Sequence, residues 1–181
     1  MTELIDVLDE NGIKTGRVAT RDEVHREGLW HRVIIVAIVN DKNEILLQQR
    51  SHNKEKNPDM WDISAAGHIS AGQDSLSAAA REINEEVSVD LGRHVDISDF
   101  RYMFCYRSME EYSNGIIEKQ FYDFFILRQP NLTLEKVKIQ ESEVQAVKLC
   151  TMSELRTLIK NHELVERDAV YAALENYIFN I

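Results

Sequence analysis

Gly67-His68-Ile69-Ser70-Ala71-Gly72-Gln73-Asp74-Ser75-Leu76-Ser77-Ala78-Ala79-Ala80-Arg81-Glu82-Ile83-Asn84-Glu85-Glu86-Val87-Ser88-Val89 joins a glycine-bounded loop to a run of apolar and acidic residues at helical spacing. Gly72 and Asp74 read as a loop and a helix cap, and the apolar residues Leu76, Ala79, Ala80, Ile83 and Val87 recur at the three-and-four spacing of one buried stripe, so a helix is expected over about Asp74 to Val87. Glu82, Glu85 and Glu86 stand at i, i+3 and i+4, which gathers three carboxylates within about a 100° arc of that helix. The arc is centred roughly 120° from the apolar stripe, so the acids are expected to flank the core without joining it. Crowded carboxylates oppose one another's ionisation unless a cation neutralises them, and hard oxygen donors suit magnesium or manganese. For an isolated Glu-x-x-Glu-Glu the commoner arrangement is a solvated face with an Arg81–Glu85 ion pair, so the surrounding residues must decide.

Upstream, Ile5 to Leu8, a turn at Asn11-Gly12 and a return toward Val18 read as a hairpin, because Asn-Gly supplies the positive φ values of a tight turn. The β-branched run Val33 to Asn40 and the segment Glu44 to Gln49, separated by Asp41-Lys42-Asn43, read as neighbouring strands, the first buried on both faces. Residues 51 to 60 form a polar loop, and Trp61 to Ala66 a short strand ending at Gly67. Downstream, Phe100 to Tyr106 and Ile116 to Leu127 read as strands around a turn near Asn114-Gly115, with Val144 to Leu149 as another. Ser153 to Asn161 and Leu164 to Phe179 read as helices, with Val165, Ala169, Ala172, Ala173 and Leu174 on the packing face of the second. Strands mixed with helices on both sides of the acidic helix imply an α/β class, a layered α/β/α domain.

The bulk properties fit that class. The chain has 181 residues, 44% of them hydrophobic and 29% charged, enough apolar side chain for one cored domain over 1–181 and too short for a second of ordinary size. Twenty-one basic residues against 31 acidic ones leave a net charge of −10, which argues against a nucleic-acid polymer as partner. Cys105 and Cys150 show no paired spacing, so reduced thiols are the default. The start Met1-Thr2-Glu3-Leu4-Ile5-Asp6 lacks an apolar signal core, and the run Val33 to Val39 is too short for a bilayer, so a cytoplasmic protein with no membrane partner is expected.

The spacing from Gly67 through Gln73 to Arg81-Glu82-Ile83-Asn84-Glu85-Glu86 closely resembles the Nudix box, here residues 67–89, with Gln73 where the family has glutamate and Ser88 where it has glycine. The resemblance implies a Nudix-type α/β/α sandwich around a mixed β-sheet, a metal role for Glu82, Glu85 and Glu86, and magnesium-dependent hydrolysis of a small-molecule diphosphate, commonly a nucleoside diphosphate derivative. Gln73 keeps the hydrogen-bonding shape of glutamate but loses its charge. A wider likeness, from about His25 to Val147, is similar to type I isopentenyl diphosphate isomerase; it rests on Gly28-Leu29-Trp30-His31-Arg32, Leu46-Leu47-Gln48-Gln49-Arg50-Ser51, Lys54, Pro58 and Trp61-Asp62-Ile63-Ser64-Ala65-Ala66-Gly67-His68. By that likeness Arg50 and Lys54 hold the substrate diphosphate, as a bidentate guanidinium and a point ammonium suit phosphate oxygens.

The isomerases place a proton-transferring cysteine where this chain has Ala66, and an acid where it has Gln120; neither replacement transfers a proton. His31 and His68 match isomerase metal ligands, with His25 one residue out of register, so a structural or substrate-contacting role is expected for the histidines, His68 being taken as substrate-binding. A general base is expected to activate water, the candidates being Glu85, Glu141 and Glu143. Trp30, Trp61, Tyr106 and Phe121 are candidates to stack on a base, or equally to pack the sheet. Residues 1–30 form an amino-terminal hairpin extension and 151–181 the carboxyl-terminal helices. A homodimer through the hairpin is a family-like expectation. An isomerase and a binding module without turnover are the competing readings.

Overall fold

The computed structural model describes residues 3–89, 97–111 and 117–179. Its elements run β1 (Leu4–Leu8), β2 (Lys14–Thr20), α1 (Arg21–Glu27), β3 (Trp30–Val39), β4 (Ile45–Arg50), β5 (Trp61–Ile63), β6 (Ala65–His68), α2 (Ser75–Glu86), β7 (Val87–Val89), β8 (Phe100–Glu111), β9 (Ile117–Arg128), β10 (Val137–Ile139), β11 (Val144–Cys150), α3 (Met152–Lys160) and α4 (Asp168–Phe179). The sheet is mixed. β3 pairs parallel with β9, Trp30 to Lys119 through Val39 to Arg128, and antiparallel with β6; β4 pairs antiparallel with β5 and β11.

β3 sits at the centre because its sequence has no polar side to expose. Ile34 through Val39 are fully buried, and alternate residues point to opposite layers. Ile35, Ala37 and Val39 pack with Leu155 and Leu158 of α3 and Val170, Tyr171 and Leu174 of α4. Ile34, Val36 and Ile38 pack with Ala78, Ala79 and Ile83 of α2. Helices therefore cover both faces, and truncating a central side chain such as Ile35 to alanine costs about 2–5 kcal/mol. The expected α/β/α sandwich around a mixed sheet is what the chain adopts.

The amino-terminal hairpin is present, β1 against β2, with Gly12 at φ 81° in its turn. It leads into α1, which opens with a reciprocal cap: Thr20 Oγ1 accepts from the Glu23 amide at 3.2 Å while the Glu23 carboxylate accepts from the Thr20 amide. Gly28, at φ 58°, closes it. This short helix is the element that carries His25 toward the sheet.

Several boundaries differ from the sequence reading. The segment read as one strand over Trp61 to Ala66 is broken at Ser64. β5 stays with β4 and β6 crosses to β3, and the buried Ser64 hydroxyl bridges the fork, donating to the Leu46 carbonyl at 2.5 Å and accepting from the Ile38 amide at 2.8 Å. α2 stops at Glu86, since Val87–Val89 pairs antiparallel with Val137–Ile139 in a separate two-stranded sheet that the sequence reading lacked. The last helix begins at Asp168 rather than Leu164: the Trp61 amide donates to the Glu163 carbonyl and the Val165 amide to the Trp61 carbonyl, both at 2.9 Å, which holds 163–165 extended. Its buried face is Val170, Tyr171 and Leu174, while Ala169 and Ala172 are exposed. The expected turn at Asn114-Gly115 lies outside the described residues.

Candidate active site

α2 sets its acids against the end of β6. A Cβ on Gly67 would lie 2.1 Å from both Cδ and Oε1 of Glu82, so the carboxylate occupies the space that any other residue at 67 would fill. Glu82 is thus buried, at 8% exposure, where the helical wheel had it flanking the core; the missing side chain of Gly67 opens the seat. Burial is the main cause of its raised pKa, opposed by the Arg81 guanidinium. Arg81 Nη1 lies 2.8 Å from Glu82 Oε1 and 2.9 Å from Glu85 Oε2, and Nη2 donates to the His68 carbonyl at 2.9 Å. One guanidinium therefore draws two carboxylates together and ties them to β6. The Arg81–Glu85 pair expected from spacing is present, but as part of this cluster. Glu85 is exposed. The backbone of Glu86 ends α2, and its side chain lies outside the described residues. Gln73 places its side-chain oxygen in a buried position without a hydrogen-bond partner.

A second set of donors gathers on the other face of β6. His25 of α1, His31 of β3 and His68 of β6 bring ring nitrogens to within 4.8 Å of one another, with His31 and His68 stacked at 5.2 Å and 26°. The apparent one-residue offset of His25 does not keep it out, because a helical turn rather than a strand delivers it. Desolvation lowers the pKa of His25 and His31 to about 4 and that of His68 well below its usual value, so all three are neutral imidazoles at pH 7. The Leu29 carbonyl, 3.0 Å from His31 Nδ1, can only accept, which puts the proton on Nδ1 and leaves Nε2 to accept from the Gln120 amide at 3.2 Å. Gln120 Oε1 in turn accepts from the Tyr122 hydroxyl. Glu118 Oε1 lies 2.8 Å from His25 Nδ1 and pairs with Lys56.

The loop 51–60 closes over this region through its cations. Arg50 is mostly buried: Nε and Nη2 donate to the Lys56 carbonyl at 3.1 and 2.9 Å, and Nη1 is 3.7 Å from Asp62. Lys54 pairs with Glu143, and Lys56 with Glu118. Glu141 is exposed on the turn before β11. Thus the structure joins two of the expected site residues, Lys54 and Glu143, to each other, and His68 to the α2 acids through Arg81. Of the aromatic candidates, Trp30 and Phe121 pack on each other at 5.2 Å, Trp61 is covered by Lys148 at 4.0 Å, and Tyr106 stacks on Tyr122 at 5.0 Å.

The sequence reading missed the most deeply buried ion pair among the described residues. Asp62, fully buried, receives Arg167 through Nε at 2.7 Å and Nη2 at 3.0 Å, a bidentate bond that links β5 to the start of α4. Asp62 stood inside a quoted motif, but Arg167 carried no local signal 105 positions away.

The site therefore offers two donor sets. The Glu82 and Glu85 carboxylates, one cradled where Gly67 has no side chain, have the hard oxygen chemistry of a magnesium or manganese site. The three neutral imidazoles, with His68 Nε2 buried and without a hydrogen-bond partner, have the chemistry of a zinc or manganese site.

The NUDIX domain family matches residues 29–173. Nudix hydrolase 3 of Arabidopsis thaliana is 38% identical over 164 residues, 89% of this chain, which spans about a fifth (21%) of that protein. A Nudix hydrolase of Listeria monocytogenes is 34% identical over 160 residues, 88% of this chain and 86% of that one. The isopentenyl-diphosphate Δ-isomerase of Pectobacterium atrosepticum is 32% identical over 120 residues, 66% of this chain and 62% of its own. The fold is shared with a crystal structure from Deinococcus radiodurans at a TM-score of 0.71, with 18% identity, 94% of this chain and 97% of that chain covered. With the profile covering most of the chain and close relatives along nearly its whole length, the protein belongs to the Nudix hydrolase family.

Proposed function

We propose that the protein hydrolyses a diphosphate linkage in a small molecule, a nucleoside diphosphate or triphosphate derivative, with magnesium held by Glu82, Glu85 and Glu86. The observation that carries this reading is the Glu82 carboxylate seated against Gly67 and sharing Arg81 with Glu85. A carboxylate whose charge is penalised by burial is one that a divalent cation stabilises. When bound, the cation supplies charge stabilisation to the phosphoryl oxygens and lowers the pKa of a water.

The chain's own residues do the rest. Arg81 fixes the spacing of the two carboxylates. Glu85 is exposed and its Oε2 is engaged by Arg81, which leaves Oε1 to accept the proton of the attacking water. Glu143 is neutralised by Lys54, and Glu141 stands apart on its turn, so both rank behind Glu85 as base. Opening of the Lys54–Glu143 pair offers the Lys54 ammonium to the diphosphate, while Arg50, tied to the Lys56 carbonyl and beside Asp62, holds the loop and adds positive charge to the region. Ala66 and Gln120 weigh against isomerisation: the methyl carries no transferable proton, and the amide is committed to His31 and Tyr122.

The test is product formation from a panel of nucleoside di- and triphosphates, nucleotide sugars, dinucleotides and prenyl diphosphates, with and without magnesium, resolved by mass spectrometry. Magnesium-dependent cleavage lost in Glu85→Gln supports the reading. An inert panel with folded, metal-loaded protein, or a shifted double bond in a prenyl diphosphate, overturns it.

A further inference from the structure

β8 is an edge of the large sheet: among the described residues it pairs with β9 alone, along a strand of 12 residues, and its other side turns main-chain donors and acceptors outward. Strands are mostly about 5–6 residues long, and edges are ordinarily kept short or broken by proline. β8 contains no proline, and two of its large apolar side chains, Tyr102 and Met109, are 54% and 63% exposed.

An odd separation puts two residues on opposite faces of a regular strand, so Tyr102 and Met109 should point apart. The bulge between Tyr102 and Phe104 reverses that. Counted along β9 from Tyr122, the partner of Tyr106, Tyr102 stands at Phe125 and Met109 at Lys119, each three positions away and both on the α2 face. Arg101 stands at Ile126 and Glu110 at Glu118, each four positions away and both on the opposite face. The edge is therefore self-complementary about Tyr106. A two-fold axis there lays a second β8 antiparallel to the first, with Tyr102 of each copy opposite Met109 of the other and Arg101 opposite Glu110.

Charge on the Arg101 face points the same way. Glu110 walls a cavity of about 240 Å³ with Glu166, Asp168 and Arg167, three carboxylates against one guanidinium, and Asp62 already holds that guanidinium bidentate. Arg101 of a second copy arrives at this acidic wall and supplies a cation to it. The outer edge of the hairpin suits a partner less well. β2 is shorter, carries Gly16 at φ 86°, and has Arg17 committed to Glu23 and Glu27 of α1 at 2.7 and 2.9 Å.

We propose that β8 is a dimerisation edge, where two copies of this chain join β8 to β8 about Tyr106, so that their sheets run on as one and Arg101 of each copy pairs with Glu110 of the other. The interface does not depend on what the enzyme hydrolyses.

The experiment is sedimentation equilibrium of the full chain over a range of concentrations. The wild-type protein is expected to dimerise in the micromolar range or below. Arg101→Glu and Glu110→Arg each set like charges opposite one another twice, and each is expected to weaken the dimer by about tenfold or more. The double variant, with both charges exchanged, is expected to recover wild-type affinity to within about threefold. Both positions are exposed, which favours retention of the fold, and amide exchange on the wild type needs no substitution at all. Raising the concentration should protect the β8 amides that point away from β9 and leave those of β2 unchanged. A wild-type chain that stays monomeric to about 200 μM, single reversals without effect, a folded double variant no tighter than the single ones, or new protection on β2 instead of β8 overturns the assignment.

Discussion

Replacing Gly67 with alanine probes the seat of the Glu82 carboxylate directly. The new Cβ would fall 2.1 Å from Cδ and Oε1 and 2.5 Å from Oε2 of Glu82, against an ordinary contact that begins at 3.4 Å, so the carboxylate must retreat by about 1.3 Å. The atoms in the way are the far end of a flexible side chain, and Gly67 is not among the glycines at positive φ, so the backbone tolerates the change. The fold should survive with a loss no larger than about 1–3 kcal/mol. Catalysis should not: a misplacement of about 1 Å costs on the order of 100-fold. The assay is kcat/KM for the best substrate across a magnesium titration, with thermal melting as the control for folding. A Gly67→Ala protein that turns over within about threefold of wild type at the same magnesium dependence would refute the reasoning, because the displaced carboxylate would then be irrelevant.

Three further outcomes follow from the same geometry. Arg167→Leu removes the bidentate partner of the buried Asp62 and leaves it only the Ile63 amide and the more distant Arg50 at 3.7 Å, and should lower stability by about 3–5 kcal/mol in chemical denaturation; a loss below about 1 kcal/mol would mean that the pair is not what ties β5 to α4. Ser64→Ala removes a donor and an acceptor at the strand fork and should cost about 1–3 kcal/mol, with faster hydrogen exchange at the Ile38 amide as its signature. Cys105, an exposed residue whose thiol is partly desolvated, has its pKa raised to about 11, by that desolvation first and the Asp123 carboxylate second. Its alkylation should therefore be about a hundredfold slower than that of a free thiol at pH 8 and rise steadily through pH 10; a plateau above pH 9 would contradict the desolvation and the Asp123 contact.

How far the sequence carried depends on the range of the interaction. α2, the hairpin and β3 were legible because their signals are local: an apolar period, an Asn-Gly turn, a β-branched run. The layered α/β fold followed from their order. Boundaries failed where a distant partner decided them, as when Trp61 held 163–165 extended and delayed α4, or when Ser64 divided one apparent strand between β3 and β4. Site residues divide the same way. The acids of α2 announce themselves by spacing, but the burial of Glu82 depends on a glycine 15 positions earlier, and a helical wheel carries no information about a neighbour outside the helix. His25 looked out of place only because strand register was applied to a residue that α1 delivers. Arg167 had no local mark at all, since its role exists only once β5 and α4 meet.

Hydrolysis in ¹⁸O-labelled water, with the cleaved substrate from the panel, by wild type, Glu82→Gln and Glu85→Gln, with and without magnesium, decides whether water attacks phosphorus under the control of the α2 acids. Attack at one phosphorus of the anhydride predicts one labelled oxygen in one of the two phosphate-bearing products and none in the other, only with magnesium, and a rate reduced by about 100-fold or more in both variants. Release of the organic group as a free alcohol with the diphosphate intact, a rearranged organic half, or full activity in both folded variants would contradict it.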